Sequence, residues 1–306
     1  MNDGPVVITG AGGFVCSGLA LGCAGAGRDV IAVDRAFDGP PAHDRIRHVR
    51  ADLPGGLAAL GLPRPAAVIH GAALTADPDT LGLSTAAHLK TNLGMHLDCL
   101  DWARAAGADR FLFLSSMGVF APTDGLGRAH LTEADMATGT GAYQTAKQAG
   151  EAINAAAAED GFATLSLRLG NVFGPGERAR PSRPWVSLAA RMIAQARRGE
   201  AVDPGAGAGL REWAWLPDLA RGVADLLEEI PTLGGVLHAG NPPALADRDL
   251  AGRIVARSPG SRLGAERDLP GLRPPMASNV ASALSGVAWT PIDEALDRLI
   301  AGEVAA

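Results

Sequence analysis

Directly after its first apolar run, Val6-Val7-Ile8, the chain turns through Thr9-Gly10-Ala11-Gly12-Gly13 and enters a helical pattern carried by Leu19 and Leu21. A strand that breaks on glycines and restarts as a helix is the opening of a βαβ unit, because a parallel partner strand can only be reached through such a crossover. The same alternation recurs at Val30-Ile31-Ala32-Val33, Ala67-Val68-Ile69, Phe111-Leu112-Phe113-Leu114 and Leu165-Ser166-Leu167-Arg168-Leu169, with helical stretches between. Runs that are apolar on both faces suit parallel strands covered on both sides, and right-handed crossovers then wind them into one sheet.

Composition narrows the function. Among 306 residues, 47% are hydrophobic and 20% charged, while aromatics reach only 4%, so Ala, Val, Leu and Ile must build the core. A formal net charge of −6 without any Lys/Arg-rich run argues against nucleic acid as a partner. No apolar stretch approaches the roughly 20 residues of a membrane span, and the start of the sequence carries no signal-peptide pattern, so the expected location is the cytoplasm and no membrane partner is implied. Cys16, Cys23 and Cys99 have neither disulfide nor zinc spacing, and no metal site is expected.

The expected architecture is α/β: a doubly wound parallel sheet of Rossmann type with a small, interleaved C-terminal substrate-binding cap. Residues 1–174 would form the dinucleotide-binding part, with 216–240 returning to it through a helix at Leu216–Glu229 and the run Val236-Leu237-His238. Residues 175–215 and 241–306 would form the smaller part, containing a helix near Trp185 to Arg198, a Gly/Ala loop at Gly205–Gly209 and a last helix near Ile292–Ile300. Trp213 and Trp215 read as core of a strand.

The glycine turn is suited to a pyrophosphate. Gly10, Gly12 and Gly13 let backbone approach the phosphates, and Phe14 and Val15 open a helix whose first N–H groups and dipole favour an anion. Asp34 ends the second strand 24 residues after Gly10, where a carboxylate accepts hydrogen bonds from adenosine ribose hydroxyls and repels a 2′-phosphate. NAD is therefore expected rather than NADP, although Arg35 next to it can pair with a phosphate or stack on adenine.

Tyr143 and Lys147 lie four apart on one helix face, and Ser116 ends the fifth strand, where ligands of open α/β sheets bind. In this set Tyr143 is expected to act as general base toward a substrate hydroxyl, its phenol pKa lowered by Lys147 and an oxidised nicotinamide, with Ser116 bonding the same oxygen. Tyr143 is the only tyrosine in the chain.

These stretches together resemble the extended short-chain dehydrogenase/reductases, in particular the NAD-dependent epimerase/dehydratase family. The likeness rests on the glycine turn, Asp34, Ala51-Asp52-Leu53, Val68 to Ala73, Asn92, Leu114 to Phe120, Tyr143/Lys147 and Leu169 to Pro175, and extends to about Asp218. It implies that Asp52 and Leu53 touch adenine, that Ala72, Ala73 and Asn92 line the cofactor along with Tyr143 and Lys147, that Asn171 faces the substrate, and that the protein is a homodimer paired through two helices. Cys16 departs from the pattern, since the family has a third glycine there. A packed thiol is the expected outcome.

The resemblance also implies chemistry on a small-molecule substrate: a dehydrogenase or reductase of a sugar-like alcohol, or an epimerase that oxidises and re-reduces. Dehydration is disfavoured because Met117 and Gly118 stand where the family's dehydratases carry an acidic pair. A non-catalytic NAD-binding sensor would be expected to have lost Tyr143 and Lys147. Arg178, Arg180, Arg183 and Arg211 are expected to gather into a positive pocket, with Arg178 and Arg211 binding an anionic substrate such as a sugar acid. His70 is expected to be a buried, structural histidine.

Overall fold

All five apolar runs become neighbouring parallel strands in a computed structural model of the chain, which describes residues 3–39, 42–265 and 273–302. In chain order the strands are β1 (Val6–Thr9), β2 (Val30–Asp34), β3 (Ile46–Arg50), β4 (Ala67–His70), β5 (Arg110–Ser116), β6 (Ala163–Leu169), β7 (Asn171–Phe173), β8 (Ala201–Val202), β9 (Leu210–Trp215), β10 (Val236–His238), β11 (Ala244–Ala246) and β12 (Arg262–Leu263). The helices are α1 (Phe14–Gly25), α2 (Pro78–Leu81), α3 (Thr85–Ala105), α4 (Ala142–Ala156), α5 (Leu188–Arg197), α6 (Leu216–Leu233), α7 (Asp247–Ala256) and α8 (Ile292–Ala301).

The main sheet runs β10-β6-β5-β4-β1-β2-β3, parallel throughout, which is the doubly wound order expected. Strand periodicity divides its side chains between two cores. Val6, Ile8, Leu112 and Leu114 pack with α1 and α6, whereas Val7, Phe111 and Phe113 pack with α3. Each such side chain, buried rather than exposed, contributes about 1.5–3 kcal/mol. On α1, Gly22 allows the closest helix contact: a Cβ there would lie 2.6 Å from the backbone of Ala220 on α6.

Residues 216–240 lie against the main sheet, with α6 packed on α1 and β10 in register with Ser166–Arg168 of β6. A second core gathers Phe173, Trp213 and Trp215 with Met192 and Ile193 of α5, Leu250 and Ile254 of α7 and Leu296 of α8. Its sheet has the order β11-β9-β7, so both tryptophans are core as expected. Helix α5 begins three residues later than expected, at Leu188, because Ser187 caps it by accepting from Ala190 N. The sequence reading missed β3, an edge strand in which only Ile46 is fully buried and the pattern Ile-Arg-His-Val-Arg looks like loop. Positions 266–272 and 303–306 of the C-terminal segment lie outside the described residues. Among the described residues, no helix is long and apolar enough to cross a membrane.

Candidate active site

The glycine turn is fixed to the ends of β1, β2 and β4. Gly10 has φ +74°, and a Cβ on it would meet Ala72 N at 2.6 Å; a Cβ on Gly12 would meet Ala36 O at 2.3 Å. Ala11 N donates to Val33 O at 3.1 Å and Gly12 N to Asp34 Oδ2 at 2.9 Å, while Asp34 Oδ1 accepts from Ala36 N at 3.2 Å. Asp34 thus braces the turn and still has lone pairs for ribose hydroxyls. The turn's own N–H groups are committed, which leaves the opening residues of α1, Phe14 and Val15, as donors without an intrahelical acceptor. This backbone cradle, closed to any side chain at Gly10 and Gly12, fits a dinucleotide.

Around it, Arg35 and Asp52 are exposed and Leu53, Ala72 and Ala73 half-buried. Asn92 is placed differently from the expectation of a direct cofactor contact. Its Oδ1 accepts from Leu74 N at 2.8 Å and its Nδ2 donates to Leu74 O at 3.1 Å, so its amide is spent on holding the loop after Ala72-Ala73. Cys16 is buried with its thiol pushed up to about 12 by desolvation, and its Sγ fills the space a Cβ on Gly71 would need. It is a packing group, as expected.

Ser116, at the C-terminal end of β5, and Tyr143, in the first turn of α4, come together. The Ser116 hydroxyl and the phenol ring both border Gly118, and the hydroxyl accepts from Gly118 N at 3.0 Å. Gln148 pins α4 to the segment that precedes it by donating to Val119 O and Gly139 O. Lys147 lies one turn on, buried, with Nζ 4.6 Å above the Phe113 ring and 5.7 Å from the centre of the Tyr143 ring.

The expected direct action of Lys147 on the phenol is corrected here. Burial pushes the Tyr143 phenol above its ordinary value, against the opposing effects of the Ser116 hydrogen bond and the Arg183 charge. Lys147 is not aimed at the phenol: Nζ donates to Leu114 O at 2.6 Å. Its own ammonium is pushed down to about 8 by burial, partly countered by Cys16 and Glu151.

The expected single pocket of arginines is also corrected. Arg178 donates to Asp38 O at 2.9 Å, and Arg180 lies 3.8 Å from the Asp38 carboxylate beside Gly12, both next to the end of β2. Arg183 pairs with buried Glu177 at 3.2 Å, and Glu177 also holds Ser187 N at 2.7 Å. Arg211 is engaged by the fully buried Asp247, Nε to Oδ1 at 2.8 Å. These charges separate because each has a carboxylate or carbonyl within its own segment's reach.

Asn171 donates to Met117 Sδ at 3.3 Å. His70 is buried, its Nδ1 2.8 Å from Thr9 Oγ1 and its ring stacked on Phe113, with burial keeping it neutral. Sequence reading passed over Glu212 and Arg273. Glu212 is buried beside Gly170, its carboxyl pushed up to about 7 by desolvation, with Oε1 unpartnered. Nearby Arg273 has a buried, unpartnered Nε. The signal for Glu212 was a carboxylate next to Trp213 in a strand that is otherwise apolar apart from Arg211.

Comparison with known proteins accords with this geometry. The family model of the NAD dependent epimerase/dehydratase family matches residues 6–236. The sequence matches none of the curated proteins. Among solved structures, MoeE5 in complex with UDP-glucose and NAD is 26% identical, covers 98% of each chain and superposes with TM-score 0.77; MoeE5 was also solved with UDP-glucuronic acid and NAD. Two further structures share the fold: the epimerase Mth375 of Methanothermobacter thermautotrophicus, with 24% identity, 98% and 91% coverage and TM-score 0.79, and the UDP-glucuronic acid 4-epimerase of Bacillus cereus, with 19% identity, 97% and 98% coverage and TM-score 0.78.

Proposed function

The chain belongs to the NAD-dependent epimerase/dehydratase family, and from that membership we propose that Tyr143, Ser116 and Lys147 carry its chemistry, the oxidation of a secondary alcohol on a sugar-like substrate. The observation that carries this reading is the juxtaposition of Ser116 and Tyr143 around Gly118 at the carboxyl edge of the sheet, with the glycine cradle a few strands away. Bound NAD supplies the hydride acceptor. Tyr143 takes the proton from the substrate hydroxyl, or returns it in the reverse direction, while Ser116 holds the same oxygen. Lys147 keeps a positive charge one helix turn from the phenol, where the oxidised cofactor and substrate would lie between strand ends and α4. Asp34 selects the cofactor's ribose hydroxyls, and Phe14 and Val15 offer N–H groups to its diphosphate.

We take the substrate to be a sugar derivative, dehydrogenated by this enzyme. MoeE5, which binds UDP-glucose and UDP-glucuronic acid, supports the second reading, epimerisation of a nucleotide sugar. The cap is residues 175–215 and 241–306, the enzyme acts in the cytoplasm, and family resemblance supports a homodimer, measurable by sedimentation. Incubation with NAD and either UDP-glucose or UDP-glucuronic acid separates the two reactions. Reduced nicotinamide accumulating in solution marks a dehydrogenase; an epimeric sugar without it marks an epimerase; neither product, from these or from free sugar acids, refutes both.

A further inference from the structure

The residue one turn beyond Lys147 on the buried face of α4 is another charge, Glu151, and nothing in the chemistry above uses it. Its carboxylate is fully bonded inside the protein. Oε1 accepts from Ser115 Oγ at 2.5 Å and Arg168 Nε at 2.8 Å, and Oε2 accepts from Arg168 Nη2 at 2.7 Å. All three side chains are more than nine-tenths buried. Ser115 and Arg168 face each other in the β5–β6 register, so one carboxylate ties together α4, β5 and β6.

Each tie stands close in sequence to a site residue. Ser115 precedes Ser116; Arg168 is three residues before Asn171; Glu151 lies four residues after Lys147 and eight after Tyr143 on one helical face. We propose that Glu151 is a positioning residue, held by Arg168 and Ser115, that fixes the spacing of Ser116 and Tyr143 and keeps Lys147 charged. The inference rests on the catalytic reading of Tyr143 and Lys147.

A purely structural ion pair would explain the burial and the bidentate geometry, but not the arrangement of charge. The groups facing Lys147 are Cys16 from α1, His70 from β4, His96 from α3, Leu114 O and the Phe113 ring from β5, and Tyr143 and Glu151 on its own helix. Both histidines are held neutral by burial and Cys16 is held as a thiol, which leaves Glu151, among the described residues, as the one anion acting on Lys147 at neutral pH. Arg168 is paired with that carboxylate and stacked over Phe120. Without the carboxylate, Lys147, already near 8, would lose its proton at still lower pH.

The chain has only two lysines, Lys147 and the exposed Lys90, so carbon-13 labelling of lysine Cε gives two NMR signals and reads Lys147 without any substrate. Glu151→Gln alone strands the buried Arg168, so the test uses the double variant Glu151→Gln/Arg168→Gln, with Glu151→Asp as the charge-preserving control and Lys147→Met to identify the signal. The double variant is expected to move the Lys147 midpoint down by about one pH unit and the alkaline limb of turnover with it, while Glu151→Asp retains both. A folded double variant with the Lys147 midpoint and alkaline limb of the wild type overturns the proposal. Should the double variant not fold, Glu151→Asp decides: a wild-type midpoint with slower turnover, from the shortened tie, supports it, and wild-type turnover overturns it. Lys147→Met with undiminished turnover refutes the catalytic reading itself, and this inference falls with it.

Discussion

The edge of the main sheet and the segment around the second core treat charge in opposite ways. At the sheet edge, Lys147 is buried and Tyr143 half-buried, neither in direct contact with a carboxylate, and desolvation drives both away from ordinary titration. Around the second core, Arg183, Arg191, Arg211 and Arg257 are matched with Glu177, Asp203, Asp247 and Asp293. The first arrangement stores reactivity and the second stores stability, since an unpaired buried group is poised to change protonation while a paired one is committed.

That contrast predicts different consequences for single substitutions. Tyr143→Phe should lower turnover by a factor on the order of 10²–10⁴ with NAD affinity and thermal midpoint nearly unchanged. Activity and calorimetry on the same preparation check this, and retained turnover breaks the assignment. Arg211→Ala should do the reverse of a simple binding variant. It strips Asp247, whose side chain is 0% exposed, of its cation and should cost about 3 kcal/mol of stability by denaturant unfolding. An unchanged unfolding midpoint would mean that Arg211 is free to serve the substrate alone.

How much of this was legible in the sequence follows the same division. The glycine turn, Asp34, Ser116, Tyr143 and Lys147 could be read because each sits at a strand end or helix start, where local sequence dictates position. The partners of Arg178 and Arg211 could not, because Asp38 is 140 residues and Asp247 36 residues away in the chain. The upward shift of Tyr143 in the protein alone could not be read for a related reason. Burial and the pull of Leu114 O on Lys147 depend on packing between α4 and β5, to which a spacing of four residues is blind.

Two smaller effects sharpen the comparison. Asp34→Ala should relax the preference for NAD over NADP by about tenfold, the scale of one charge-assisted hydrogen bond, measured as the ratio of the two Kd values. His96, buried with both ring nitrogens unpartnered and pushed down to about 3, binds its proton in the unfolded chain first. Its folded pKa lies below the unfolded one, so stability is full above about 6.5 and falls as pH drops toward 3, by up to roughly 1.4 kcal/mol per pH unit. His96→Met should flatten that slope; an equally steep loss assigns the acid sensitivity to other groups.

The central claim, that Tyr143 is a phenol held protonated by burial and released for base chemistry by the bound cofactor, can be read directly because the chain has one tyrosine. Carbon-13 labelling at tyrosine Cζ gives a single NMR signal to titrate with and without NAD. Without NAD the midpoint should lie above the ordinary value of 10, as burial dictates. With NAD bound, the added positive charge should lower it by on the order of two pH units. A midpoint that NAD leaves where it was would contradict the account.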